Sequence, residues 1–222
     1  MIINEINFPI YKILIVISIL VGITYIIMSL YNEKKLNKKL IIFFIMFFIL
    51  SLLFGKLYTY ILWGFQTTFI DSPLSSYGGL IGVLISALIY EKIYPSKGLV
   101  IKYTVLSLPL IYAFTKIACS VVGCCYGIPY DGIFAVKYPH RIDEFLFPIQ
   151  FLEVIIFFIL FLICNAKKNR KDITYITILS ISILKFAVEY LRYNDSTLLF
   201  NQNQLFSIAL FIITLIFYKK NN

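Results

Sequence analysis

Histidine is almost missing from this chain: His140 is the only one in 222 residues, which rules out any site built on paired imidazoles. The four cysteines, Cys119, Cys124, Cys125 and Cys164, do not compensate, because no second CxxC accompanies them and their spacing matches no zinc pattern. Neighbouring Cys124 and Cys125 are awkward disulfide partners for each other. A bridge from either to Cys119 stays open, and the default expectation is small, reduced packing residues. Arginine is also scarce, three residues against seventeen lysines. There is no internal repeat, no low-complexity linker and no charged tail large enough to form a soluble domain. No basic n-region precedes the first apolar run and no small-residue cleavage site follows it, so that run is expected to be retained as a span.

What is present is apolar. Hydrophobic residues make up 60% of the chain and the mean hydropathy is +0.89. Runs of about 17 to 25 apolar residues, the length an α-helix needs to cross lipid, recur along it. Seven spans are predicted, at 10–31, 40–63, 77–94, 102–123, 148–165, 173–191 and 203–218. Stretches such as IIFFIMFFILSLLF and FLEVIIFFILFLI are continuously apolar, which excludes the alternating segments of a membrane β-barrel. Short connections predict a single integral membrane domain over residues 1–222, an all-α polytopic bundle of seven transmembrane helices.

Basic residues set the expected orientation. Lys34, Lys35, Lys38 and Lys39, then Lys92, Lys97 and Lys102, then Lys167, Lys168, Arg170 and Lys171, and finally Lys219 and Lys220 fall on one side of the seven spans. The other side holds Lys137, Arg141 and Arg192 against Glu5, Asp71, Asp131, Asp143, Glu144 and Asp195. The N-terminus is therefore expected outside and the C-terminus in the cytoplasm. The net charge of +9 is then a cytoplasmic fringe facing anionic headgroups, with no call for nucleic acid.

Five charges, Lys56, Lys116, Lys185, Glu153 and Glu189, sit within otherwise apolar stretches, and Lys12, just inside the first span, can join them or snorkel to the interface. Charge in hydrocarbon is costly and marks reaction or transport sites. With the orientation above, all five lie toward the outer face, and the set carries one surplus positive charge, which suits an anionic lipid headgroup. Helical spacing places Lys185, Glu189 and Arg192 on one stripe, Lys116, Cys119 and Gly123 on another, and Gln150 with Glu153 on a third. The bland alternative is a Lys185–Glu189 pair that merely pins helices. At 77–82 the sequence Tyr-Gly-Gly-Leu-Ile-Gly opens a span, where Gly78 and Gly79 could admit a phosphate to backbone N–H groups. Gly78 and Gly82, four apart, serve helix packing equally well. The 123–147 connection, with Gly-Cys-Cys-Tyr-Gly followed by Ile-Pro-Tyr-Asp-Gly, predicts tight turns at the membrane surface.

In series, YGGLIG at 77–82, KIACSVVGCCYG at 116–127, FPIQFLE at 147–153, KFAVEYLR at 185–192 and NQNQLFSI at 201–208, together with Tyr11 and Gly55-Lys56, resemble the prolipoprotein diacylglyceryl transferase family. The resemblance implies transfer of the diacylglyceryl group of phosphatidylglycerol to the lipobox cysteine thiol in the signal peptide of a lipoprotein precursor. Glycerol phosphate leaves, the site faces the outer leaflet of the bacterial cytoplasmic membrane, and no metal or other cofactor is required. By that resemblance Tyr77, Lys116, Glu153, Lys185 and Glu189 are the catalytic candidates. Tyr11, Lys56, Gly78, Gly79, Cys119, Gly123, Gly127, Gln150, Arg192 and Gln204 are the substrate-binding ones. Lys116 and Lys185 would hold the phosphate with Lys56 in support, and Glu153 and Glu189 would orient them, one assisting proton removal.

Several positions depart from the family's pattern. Tyr77 stands for its histidine, Lys56, Lys116 and Lys185 for arginines, Cys119 for asparagine, Cys124 for glutamate and Phe147 for a second histidine. Lysine binds phosphate as a point charge and lacks the bidentate fork of a guanidinium. Two alternatives share the fold: a specialised relative acting on another acceptor peptide, and a non-catalytic lipid-binding protein. A transporter fits less well, because the charges gather at one face.

Overall fold

The computed structural model describes residues 7–66, 68–138, 141–193 and 200–221; Glu5, His140 and Asp195, which entered the reading above, lie outside the described residues. Seven helices follow in order: α1 (Asn7–Asn32), α2 (Leu40–Leu62), α3 (Ser76–Ile93), α4 (Leu99–Val122), α5 (Ile149–Ala166), α6 (Ile173–Glu189) and α7 (Gln202–Asn221). Each overlaps a predicted span to within about three residues at either end. All but α6, which has 17 residues, are long and apolar enough to cross a membrane.

The 123–147 connection contains more than turns. Strand β1 (Val136–Tyr138) pairs antiparallel with β2 (Arg141–Leu146), and Val136 faces Leu146. Short alternating strands inside a glycine-rich connection carry too little periodicity to stand out in a chain dominated by continuous apolar runs.

Two compact units make up the chain: Met1–Leu20 with Pro109–Asn222, and Val21–Leu108. In the second, α2 packs on α3 along the buried stripe Phe43, Phe47, Ser51, Gly55 and Thr59, five residues each four apart. The opposite face of α2 leaves Ile41, Ile45, Ile49 and Leu53 exposed. Polar and small residues therefore face inward and aliphatic ones outward, the sense expected where lipid is the solvent. A Cβ on Gly78 would run into the carbonyl of Phe54, and one on Gly82 into that of Leu50, so these glycines let the two backbones touch. At Gly79 the nearest atom would lie 3.7 Å away, an ordinary contact.

In the first unit α6 packs on both α5 and α7. The inward face of α5 reads Gln150, Glu153, Phe157, Leu160 and Cys164, and that of α6 reads Ile173, Thr177, Ile181, Lys185 and Glu189. On both helices the ionisable residues lie at one end of an otherwise conventional core stripe. The same inward face thus builds the packing and the site.

Candidate active site

Glu153, one turn into α5, is completely buried and is the centre of the charged cluster. One of its oxygens lies 2.6 Å from the Lys116 ammonium. The other accepts the Tyr112 hydroxyl proton at 2.6 Å and sits 3.1 Å from the Arg192 guanidinium. Arg192 uses its second terminal nitrogen on Glu189, 3.3 Å away. One guanidinium therefore bridges two carboxylates, a geometry its rigid fork supplies and an ammonium does not.

Lys185 and Lys116 stand on the Tyr112 ring, with their ammonium groups 4.0 and 5.1 Å from its centroid. Relative exposure is 3% for Lys116 and Lys185, 0% for Glu153 and 5% for Glu189. Taking an ion out of water costs several kcal/mol, so groups this buried persist only as a mutually compensating set. Three cations stand against two carboxylates. Of the five charges expected to converge, Lys116, Lys185, Glu153 and Glu189 meet in the first unit with Arg192, whereas Lys56 lies in the other unit.

Neighbouring elements hold this cluster from two sides. Asn201 caps α7 by a reciprocal pair of bonds: its side chain accepts from the Gln204 N–H at 2.8 Å, and the Gln204 side chain accepts from the Asn201 N–H at 3.0 Å. Gln204, a substrate-binding candidate from the sequence, is in the structure a buried helix-cap residue. The cap presents Asn203 and Asn201, whose amides donate to Glu189 at 2.8 and 3.3 Å. The start of α7 also brings its positive dipole end toward that carboxylate.

Arg192 is fixed by backbone. The Ile128 N–H donates to the Leu191 carbonyl at 3.0 Å, the Tyr193 N–H to that of Tyr126 at 3.1 Å, and Gly127 bridges to Arg192. A Cβ on Gly127 would come within 2.6 Å of the Phe147 carbonyl and 2.8 Å of the Leu191 carbonyl, which explains the glycine. Arg192 Nε is buried without a hydrogen-bond partner.

Helix α4 ends at Gly123, in the left-handed conformation with φ of 72°, and the N–H groups of Gly123 and Cys124 both donate to the Cys119 carbonyl. Two residues on, Cys125 is left-handed again at φ 59°, uncommon for a side chain of this kind. These two turns bring the sulfurs of Cys119, Cys124 and Cys125 within 4.8 Å of one another, with all three cysteines free. Buried Gln150 locks the turn, donating to the Cys124 carbonyl at 2.7 Å while accepting the Tyr138 hydroxyl proton at 2.9 Å. Hydrogen bonds from the other two thiols, aided by Lys116 and Arg192, hold the Cys125 thiol well below its ordinary value. Hydrogen bonds with Cys119 and Cys125, together with burial, push Cys124 up. Tyr11 of α1 is within electrostatic reach of all three cysteines.

Of the residues singled out from the sequence, Tyr11, Lys116, Cys119, Gly123, Gly127, Gln150, Glu153, Lys185, Glu189, Arg192 and Gln204 belong to this unit. Lys56, Tyr77, Gly78 and Gly79 belong to the other. There the Lys56 ammonium binds the carbonyls of Ile70 and Ser72. Tyr77 stacks on Tyr58 at 6.0 Å between ring centroids, and its N–H donates to the N-cap Ser75 side chain. Tyr112 was missed, although it lies four residues before Lys116 and hence on the same helix face. Asn201 and Asn203 were also missed, although Asn-x-x-Gln before an apolar run is a legible cap signal. For the cysteines the sequence left open a bridge from Cys124 or Cys125 to Cys119; the structure has them reduced, and the meeting of all three sulfurs depends on left-handed backbone at Cys125.

Apolar helices that bury paired lysines, arginine and glutamates at one end of their core define a polytopic membrane protein with an internal ionic site. Over residues 1–219 the chain matches the prolipoprotein diacylglyceryl transferase family, and it belongs to that family. No curated protein matches it significantly. Family membership makes it a multi-pass membrane protein of a transferase family and supports a role in prolipoprotein diacylglyceryl transfer.

Proposed function

We propose that this chain transfers the diacylglyceryl group of phosphatidylglycerol to the lipobox cysteine thiol of a prolipoprotein and releases glycerol phosphate, working in the outer leaflet of the bacterial cytoplasmic membrane. In this reading all seven helices cross the membrane, with the N-terminus outside and the C-terminus in the cytoplasm. The observation that carries it is the buried set Lys116, Lys185 and Arg192 gathered with Glu153 and Glu189, which puts three basic side chains where a departing phosphate would need donors.

The acceptor sulfur attacks the glycerol carbon that bears the phosphate ester. The carbon–oxygen bond breaks, its electron pair leaves on the phosphate, and the thiol proton must be taken up elsewhere. Lys116 and Lys185 receive the phosphate oxygens, while Arg192 ties Glu153, itself paired with Lys116, to Glu189. Glu153 already serves Tyr112, Lys116 and Arg192, so its role is to orient cations. Tyr77 and Tyr11 are proposed to hydrogen-bond the glycerol or the thiol, each tested by its phenylalanine variant.

Complementation of a strain depleted of its own transferase tests the assignment. The intact chain is expected to rescue growth and the Lys116→Ala/Lys185→Ala double variant to fail while still reaching the membrane; rescue by both would overturn it. Purified chain given phosphatidylglycerol and a lipobox peptide should yield the diacylglyceryl peptide by mass spectrometry.

A further inference from the structure

Cys119, Cys124 and Cys125 form a three-sulfur cluster that diacylglyceryl transfer, as described, does not use. We infer that these thiols form a zinc site whose open fourth position takes the acceptor thiol; the second half of this inference rests on the transfer reading above.

Size is the first argument. Sulfurs on a tetrahedral zinc, each about 2.3 Å from the metal, lie about 3.8 Å apart, so a group already within 4.8 Å closes on the ion with a shift of about 1 Å. A disulfide would use two of the sulfurs and strand the third. Preorganisation is the second. Two left-handed residues, Gly123 and Cys125, fold the chain back, and Gln150 clamps the Cys124 carbonyl between them. Left-handed backbone at a residue with a Cβ costs about 1 to 2 kcal/mol, which a ligand held by the resulting geometry offsets.

The donor set is the third. Thiolates select soft or borderline cations such as zinc over calcium or magnesium. Among the described residues no fourth histidine, cysteine, aspartate or glutamate joins the group. Three protein ligands, the number found among the described residues, are the count of catalytic rather than structural zinc. Lys116 shares a helix face with Cys119, so a basic side chain stands beside a zinc carrying three or four thiolates.

Zinc held by Cys119, Cys124 and Cys125 would supply acidity to an acceptor thiol brought to it, whose proton would pass to solvent before the sulfur attacks. No electrons are exchanged: the sulfur–carbon bond forms as the carbon–phosphate oxygen bond breaks. Such a route supplies the deprotonation that Glu153, committed to three partners, does not.

The test uses the full chain in detergent, reduced and stripped of metal, then titrated with zinc or cobalt alone. Expected are one zinc per chain by elemental analysis and a sulfur-to-cobalt charge-transfer band. Cys119→Ser, Cys124→Ser and Cys125→Ser should each weaken zinc binding at least tenfold, whereas Cys164→Ser should not. Adding a lipobox cysteine peptide should raise the cobalt band by about one third as three sulfurs become four, and the serine peptide should not. Unchanged zinc binding in the triple serine variant, a Cys119 disulfide in place of bound metal, or an indifferent cobalt band would each overturn the inference. Because these readouts need no phosphatidylglycerol and no turnover, they separate its failure from failure of the transfer reading, which the product assay tests alone.

Discussion

Glu153 accepts from a tyrosine, a lysine and an arginine at once, so its removal takes away the ion pair of buried Lys116 and leaves Arg192 with Glu189 alone. Breaking a buried pair by removing one partner costs about 3 to 5 kcal/mol. Glu153→Gln should therefore lower the thermal unfolding temperature in detergent markedly. The double variant Lys116→Met/Glu153→Gln should be less destabilised than the two single effects combined, a coupling that a double-mutant cycle measures. Arg192→Lys should cost activity more than stability, at least about tenfold in transfer rate, because one ammonium cannot hold both Glu153 and Glu189. At Cys125 the sign runs with pH. A thiol held below its ordinary value keeps its thiolate to lower pH than a free cysteine and loses reactivity on acidification, whereas Cys124, held high, needs alkali. In the metal-free protein, mapping of alkylated peptides at neutral pH should find Cys125 modified well before Cys124.

At the scale of elements, backbone contact between α2 and α3 rests on Gly78 and Gly82. Gly78→Ala and Gly82→Ala should each destabilise by about 1 to 3 kcal/mol through forced separation of the helices, while Gly79→Ala should change little; limited proteolysis against temperature would rank the three. The sequence left phosphate approach and helix packing open for this motif. At Gly78 and Gly82 the packing role is now visible, because a carbonyl of α2 occupies the space a side chain would need. The hairpin makes a similar point: glycine and proline announced turns, but pairing of β1 with β2 depends on Leu146 meeting Val136, and no local pattern carried that.

For the whole molecule, helix count and sidedness meet in one measurement. If α6, at 17 residues, crosses the membrane like its six longer neighbours, a C-terminal reporter should be active only in the cytoplasm. Reporters fused in the 123–147 and 167–172 connections should fall on opposite sides. A C-terminal reporter active outside would mean that α6 stops short, and would remove the expected orientation with it. The charged ends of α4, α5 and α6 and the start of α7 touch one another, so the same measurement assigns the whole cluster to one side of the membrane.

Hydropathy is a property of consecutive residues: a bilayer demands about twenty apolar side chains per helix, so seven segments and their bounds could be read one at a time. Spacing along a helix is equally local, which is why Lys185 with Glu189, and Gln150 with Glu153, were legible as stripes. Partner choice is not local. That Glu153 takes Lys116, Tyr112 and Arg192, that Glu189 draws on the cap of α7, and that three thiols meet at a turn depend on how helices rotate about their axes and where backbone goes left-handed. Those quantities are settled only when distant segments pack, because a charge buried in a dry interior has no water to fall back on and must take whatever counter-ion the packing delivers.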